Sequence, residues 1–167
     1  MTAWRALPQL VPSTHAESGL ICEWQQVRGR LIAGGNAKDL KVWDGSTEVC
    51  TQDIATRSNS CVTSLTSDQV MGDVVVAGFG DGAVRVYDLR EAPRQAMVQA
   101  WKGGPHRSWV KNVHMQRGGN RELVSGSVTG EVCLWDIRQS RELRVVQAHQ
   151  GGLTSIAVHE HAPVFAT

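Results

Sequence analysis

Three segments of this 167-residue chain share one length and one pattern of residue types. Each begins with glycine and ends ten residues later at an aspartate that follows an aromatic residue. The segments are Gly34–Asp44, Gly78–Asp88 and Gly126–Asp136. Their aromatic residues, Trp43, Tyr87 and Trp135, stand 44 and 48 residues apart. A repeat of this period constrains the fold strongly, because each unit is too small to bury its apolar surface alone and must stack against its neighbours.

The glycines at 78, 80 and 82 follow an apolar run, as they would in a phosphate-binding loop. Such a loop requires a helix after the glycines, since the helix N-terminus holds the phosphates. Here Val84 and Val86 alternate with Arg85, which is the period of a strand. With Asp81–Gly82 at the reversal supplying positive φ angles, the segment is predicted to be a β-hairpin.

Each hairpin is preceded by further apolar runs and followed by one more short strand, so the unit has four strands. The aromatic-aspartate ending and the period make this unit similar to a blade of the WD-repeat β-propellers. The predicted fold is all-β, an incomplete WD-repeat propeller. We assign residues 1–6 to the outer strand of a preceding blade, 18–56, 57–104 and 105–150 to three blades, and 151–167 to the start of a further blade.

WD-repeat blades carry a structural hydrogen-bonded set that consists of a histidine, a serine or threonine, an aspartate and the tryptophan. The residues that the resemblance assigns to the structural repeat are Trp43, Asp44, Asp81, Tyr87, Asp88, His106, Ser125, Trp135 and Asp136. No blade carries the whole set. Thr129 takes the aspartate position of the third blade, Ala77 takes the serine position of the second, and Ala33 and Ala37 interrupt the set in the first.

Two stretches go beyond the generic blade and resemble the C-terminal propeller of the raptor family, the regulatory scaffold subunits of the TOR kinase complex. They are Ser58–Leu65, with the sequence SNSCVTSL, and Val74–Arg90; the opening through Trp24 fits the same family. The resemblance implies a non-catalytic scaffold that links the kinase to substrates and to nutrient signalling, in the cytoplasm or recruited to the lysosomal or vacuolar surface. The alternative is a WD-repeat adaptor of another complex, such as a ubiquitin-ligase receptor or a trafficking subunit.

Composition and charge argue against several other classes of function. A formal net charge of +1 gives no global field for nucleic acid, and no apolar run is long enough to insert into a membrane. Four scattered cysteines predict reduced, mostly buried thiols. We predict no catalytic, cofactor or metal site. His159-Glu160-His161 offers too few ligands for zinc and is interpreted as a solvated turn, and the repeated aspartates are interpreted as caps of the turns that follow them.

Protein partners are therefore expected, namely subunits of the TOR kinase complex. The longest irregular segment, Ala6–Glu17, carries Leu7, Leu10 and Val11 beside two prolines and is the preferred partner contact, together with Trp109. The other tryptophans, at 4, 24 and 101, are expected to pack between blades, since tryptophan is highly buried on average. Two copies of the open propeller could also close one ring by self-association.

Overall fold

The computed structural model describes residues 19–102, 104–116, 122–139, 141–159, 162 and 164–167. The predicted outer strand at 1–6 and the partner-contact residues Leu7, Leu10 and Val11 lie outside this range, as does Trp4. The described residues form fourteen β-strands and no helix, so the all-β prediction is confirmed. They accordingly include no helix long and apolar enough to cross a membrane.

Twelve of the strands form three four-stranded antiparallel sheets, each with its strands in chain order. The first sheet contains β1 (Leu20–Gln25), β2 (Arg30–Gly35), β3 (Asp39–Asp44) and β4 (Val49–Ala55). The second contains β5 (Val62–Ser67), β6 (Val74–Phe79), β7 (Val84–Asp88) and β8 (Met97–Trp101). The third contains β9 (Val110–Met115), β10 (Glu122–Ser127), β11 (Glu131–Asp136) and β12 (Glu142–Gln147). A two-stranded sheet follows, made of β13 (Ala157–Val158) and β14 (Phe165–Ala166).

The second sheet lies between the other two and is buried on both faces. Because successive side chains of a strand point to opposite faces, Val75 and Val76 enter different cores. Val75 packs in a cluster with Ile32 of the first sheet, and Val76 packs in a cluster with Leu123 of the third. Stacking of sheets thus supplies the two cores that a single sheet could not form.

The hairpin at the centre of the second sheet turns over Gly80–Gly82. The amide of Phe79 donates to the carbonyl of Ala83 at 2.9 Å, and Gly82 has a φ of 79°. The positive φ expected of Asp81 is absent, because the turn has three residues and needs only its last one in the left-handed region. Asp81 Oδ1 instead accepts a hydrogen bond from the amide of Ala83 at 3.2 Å. Strand β7 follows at once, where a phosphate loop would require a helix.

The cysteines depart from expectation in one respect. All four are free, but only Cys133 is buried, while Cys22 is exposed. The prediction of mostly buried thiols was wrong, because Cys22 lies on the outward-alternating strand β1, whose side chains alternate between exposed and half-buried.

Three equivalent glycines lie where one β-sheet unit faces the next. A methyl group at Gly34, Gly78 or Gly126 would meet a side chain of the following unit: Val62, Val110 and Leu153 respectively. At Gly78 the added carbon would lie 2.6 Å from Cγ1 of Val110 and 2.5 Å from Oγ of Ser64. Neither distance is tolerated by packed atoms, so Gly78 sets the spacing between the second and third sheets. At Gly34 the tight contact, 2.8 Å, is with Leu40 of the same sheet, and Val62 lies at 3.5 Å.

Gly78→Ala is expected to lower the free energy of unfolding by about 2 kcal/mol, because the extra methyl overpacks the contact between the second and third sheets. The midpoint of urea unfolding measures the change. Gly151→Ala is the matched control, since nothing lies within 4 Å of a methyl group there. Equal midpoints for the two variants would contradict this prediction, because they would show that the second and third sheets can move apart without a loss of stability.

Candidate functional site

The most complete polar set lies inside the third sheet. Ser125 Oγ lies 2.7 Å from Nε2 of His106 and accepts a hydrogen bond from Nε1 of Trp135 at 2.7 Å. His106 is 2% exposed and Ser125 is fully buried. Burial lowers the pKa of His106 to about 4, against the opposing effect of the Glu131 charge. The neutral imidazole can therefore accept the hydroxyl proton, while the hydroxyl oxygen accepts from the indole.

Thr129, at the position where an aspartate would complete the set, joins a different cluster. Its hydroxyl and that of Ser127 lie 2.7 Å apart, and both donate to Oε2 of Glu131. Burial disfavours the charged form of Glu131, but the Ser127 and Thr129 hydroxyls, together with its backbone hydrogen bond and the nearby His106, leave the pKa below its ordinary value. The turn of the third blade is thus closed by a carboxylate two residues beyond the expected position.

In the second sheet the aromatic residue has a different hydrogen-bond partner. Ala77 pairs with Arg85 in the register where Ser125 pairs with Cys133, so no hydroxyl is available at this position. The Tyr87 hydroxyl instead donates to the backbone carbonyl of Thr56 at 3.0 Å. Burial raises the pKa of Tyr87 and keeps it a neutral donor.

Tyr87→Phe is expected to lower the free energy of unfolding by about 1–2 kcal/mol, because it leaves the Thr56 carbonyl without this donor in a buried site. Thermal unfolding monitored by circular dichroism measures it. A retained melting temperature would mean that water reaches the carbonyl and replaces the hydroxyl.

The first sheet leaves its tryptophan unsatisfied. Nε1 of Trp43 is buried and has no hydrogen-bond partner among the described residues. Ala33 pairs with Lys41 here, so it occupies the register position of Ser125. The aromatic residue at this position is therefore hydrogen-bonded differently in each sheet. The tryptophan of the third sheet donates to a serine, the tyrosine of the second donates to a backbone carbonyl, and the tryptophan of the first has no partner among the described residues.

The aspartates that end the third strand of each sheet bind the turns that follow them. Asp44 Oδ1 accepts from the amides of Ser46 and Thr47 at 2.8 and 2.9 Å. The Ser46 hydroxyl and these amides lower the pKa of Asp44 to about 2. Asp88 and Asp136 also cap amides two residues on, and each forms an ion pair with the arginine there. Each aspartate therefore accepts hydrogen bonds from the turn that follows it, and the three lie in separate sheets.

The tryptophans divide between core and surface. Trp101 is buried against Trp135, with ring centroids 4.8 Å apart. Trp24 is 50% exposed, so the expectation that it packs between blades was wrong for this residue. Strand β1 presents alternate side chains outward, and Trp24 is one of them. Trp109 is half-buried beside a cavity between the sheets.

No group of three or more potential metal ligands occurs among the described residues. His159 Nδ1 accepts from the amide of Ala162 at 3.0 Å, within a turn. Glu160 and His161 of the His-Glu-His motif lie outside the described residues.

Arg85 was not among the site residues predicted from the sequence. It is 5% exposed, and its guanidinium lies 4.3 Å from the centre of the Phe79 ring. The signal was available: Arg85 alternates with Val84 and Val86 on an inner strand. Both faces of that strand are covered, so an arginine there is necessarily buried.

Comparison with known proteins gives consistent relatives, although no family model matches the sequence. The chain is 43% identical over its whole length to "Target of rapamycin complex 1 subunit KOG1" of Saccharomyces cerevisiae, covering 12% of that protein. It is 44% identical over its whole length to "Target of rapamycin complex 1 subunit mip1" of Schizosaccharomyces pombe, again covering 12%. The chain thus spans about an eighth of the length of these relatives.

Solved structures agree. The crystal structure of Chaetomium thermophilum Raptor superposes with a TM-score of 0.84 at 50% identity, over 92% of this chain and 14% of that one. The WD40 repeats of RRP9 superpose with a TM-score of 0.72 at 13% identity, over 88% of this chain and 43% of that one, which bears on the fold alone. The expected architecture, an incomplete WD-repeat propeller, is confirmed.

Proposed function

Because this chain belongs to the raptor family, we propose that it is a non-catalytic protein-interaction scaffold within a subunit of the TOR kinase complex. The observation that carries the proposal is its identity, over the whole chain, to two curated subunits of target of rapamycin complex 1. These relatives favour the raptor hypothesis over an adaptor of a ubiquitin ligase or a trafficking complex.

The use of the polar groups supports a non-catalytic role. His106 and Ser125 form a buried histidine-hydroxyl pair, and the Trp135 indole donates a hydrogen bond to the hydroxyl oxygen of that pair. Asp44, on another sheet, caps its own turn. Side chains that could serve as base or nucleophile therefore act as supports, and we assign the whole repeat set this structural role. The sheets from 20–55, 62–101 and 110–147 support blade boundaries at 18–56, 57–104 and 105–150.

In this role the chain contributes surfaces that link the kinase to its substrates and to nutrient signalling. We place it in the cytoplasm, with recruitment to the lysosomal or vacuolar surface through the complex. Its partners are proteins, and the segment with Leu7, Leu10 and Val11, together with Trp109, is our proposed contact. Self-association of the open propeller is the competing mode of assembly.

Cross-linking mass spectrometry of the native complex tests this function. Lys38, Lys102 and Lys111 are exposed on the described surface and accept amine-reactive cross-linkers. We expect links from these lysines to the kinase, its other subunits or a bound substrate, absent from the polypeptide purified alone. Links confined to the same polypeptide would contradict the scaffold role, and links between two copies of it would favour self-association.

A further inference from the structure

A cavity of about 610 Å³ opens between the turns of the first three sheets. We call it the cationic pocket, and define it by Arg57, Ser58, Ser60, Asp81, Arg85 and Lys102, with Trp109 beside them. These residues come from the loop before β5, the turn before β7, strand β7 itself and the segment before β9. The pocket therefore exists only where sheets stack.

The charges of the pocket do not balance. Arg57, Arg85 and Lys102 supply three positive charges against the single carboxylate of Asp81. Asp81 Oδ2 lies 3.9 Å from Nη2 of Arg85 and 3.7 Å from Nζ of Lys102, so one carboxylate is shared loosely between two cations. A formal charge of +2 remains within the cavity.

Arg85 is the most deeply buried of the three cations that line the pocket. It is 95% removed from solvent, and Nη1 of its guanidinium is buried without a hydrogen-bond partner among the described residues. A buried charge with an unused donor is costly unless a partner satisfies it. The Phe79 ring beneath it attracts the cation, and the Tyr87 hydroxyl lies beside the guanidinium, but neither group supplies a negative charge.

The remaining walls supply further donors. Ser58 Oγ accepts from the amide of Ser60 at 3.1 Å, and its hydroxyl proton is a further donor at the wall of the cavity. Arg57 is bound through Nη2 to the carbonyl of Arg94, which fixes its guanidinium and leaves other donors of the fork. Hydroxyls and guanidinium forks together are the donor set that binds phosphate oxygens.

We propose that the cationic pocket binds the phosphate of a phosphoserine or phosphothreonine in a partner protein. Such a phosphate carries a charge of about −1.5 to −2 at neutral pH and three acceptor oxygens, which matches the excess charge and the donors. The chain as a whole is nearly neutral, with a formal net charge of +1, which disfavours a nucleic-acid backbone with its extended row of phosphates. Trp109 gives the residue beside the phosphate an apolar surface.

The test uses the intact native polypeptide that contains this chain. Fluorescence anisotropy would measure its affinity for a degenerate peptide library with one fixed central phosphoserine, and for the same library with serine or glutamate at that position. The phosphorylated library is expected to bind more tightly than either, and inorganic phosphate is expected to compete. Affinity should fall as the pH is lowered from 7.5 to 5.5, because the second phosphate pKa is about 6.

Three substitutions test whether the phosphate binds in the cationic pocket. Lys102→Gln changes an exposed side chain and is expected to weaken binding about three- to fivefold, the effect of one screened charge. Asp81→Asn keeps an acceptor for the Ala83 amide but removes the competing carboxylate, so it is expected to strengthen binding. Arg144→Gln, on the exposed strand β12, is the matched control and should change nothing.

Equal affinity for the phosphorylated and serine libraries would overturn the proposal, as would unchanged binding in Lys102→Gln or weaker binding in Asp81→Asn. Preferential binding to phosphoinositide-containing vesicles or to RNA would overturn it as well. The inference rests on the proposed scaffold role only for the source of the phosphate. Failure of phosphopeptide binding while TOR kinase still co-purifies would reject the pocket alone, whereas loss of co-purification would reject the scaffold.

Discussion

Lowering the pH from 7 to 4 is expected to remove about 3 kcal/mol from the free energy of unfolding through His106 alone. Burial holds its pKa at about 4, whereas an unfolded histidine titrates near its ordinary value of 6.5. Between these two pKa values the unfolded chain binds a proton that the folded chain does not. The stabilisation is therefore fully present above pH 6.5 and is lost as the pH falls toward 4.

Urea unfolding at a series of pH values measures this effect, and His106→Gln separates it from other acid-titrating groups. The variant is less stable at neutral pH, but the slope of its stability between pH 6.5 and pH 4 should be shallower than that of the parent chain. Ser155→Ala changes an exposed side chain that carries no titrating group and should keep the parent slope. Parallel slopes for the parent chain and His106→Gln would mean that the imidazole is not held neutral.

Ser125→Ala is expected to lower the free energy of unfolding by about 3 kcal/mol, comparable to the effect of the acid shift. The substitution removes a hydroxyl that serves two buried partners, His106 and Trp135, and leaves both of them without it. Steric effects are small, because Ala33 and Ala77 occupy the same register position in the other sheets.

Chemical unfolding of the variant measures the loss, with Ser155→Ala as the matched control at an exposed position. The control should unfold within about 0.5 kcal/mol of the parent chain, as is usual for surface substitutions. A loss below 1 kcal/mol in Ser125→Ala would contradict the account, since it would show that water or a rotated side chain takes over the hydroxyl's place.

The repeat made the architecture predictable. Once three hairpins share a ten-residue pattern, four-stranded units and stacked sheets follow, because no single unit can bury both faces. The resemblance also pointed to His106, Ser125 and Trp135 as one set. The resemblance did not predict every hydrogen bond at these positions. Nothing in the sequence indicates that Tyr87 would use the Thr56 carbonyl, since a backbone acceptor on a preceding loop has no residue signature.

The cationic pocket was not predictable for a related reason. Arg57, Arg85 and Lys102 are separated by many residues and carry no common motif. They meet because the loops of adjacent sheets converge, and convergence depends on the spacing between sheets. That spacing is set by residues such as Gly78, whose contact with Val110 appears only when the sheets are stacked.

The most direct test of the scaffold role is recovery of the polypeptide from its native locus with a small tag, followed by mass spectrometry of its partners and of its own size. We expect a polypeptide much larger than the 18.2 kDa of this chain that co-purifies with TOR kinase. Recovery of an 18 kDa product without the kinase would contradict it, and would mean that the likeness to raptor does not extend to the complex.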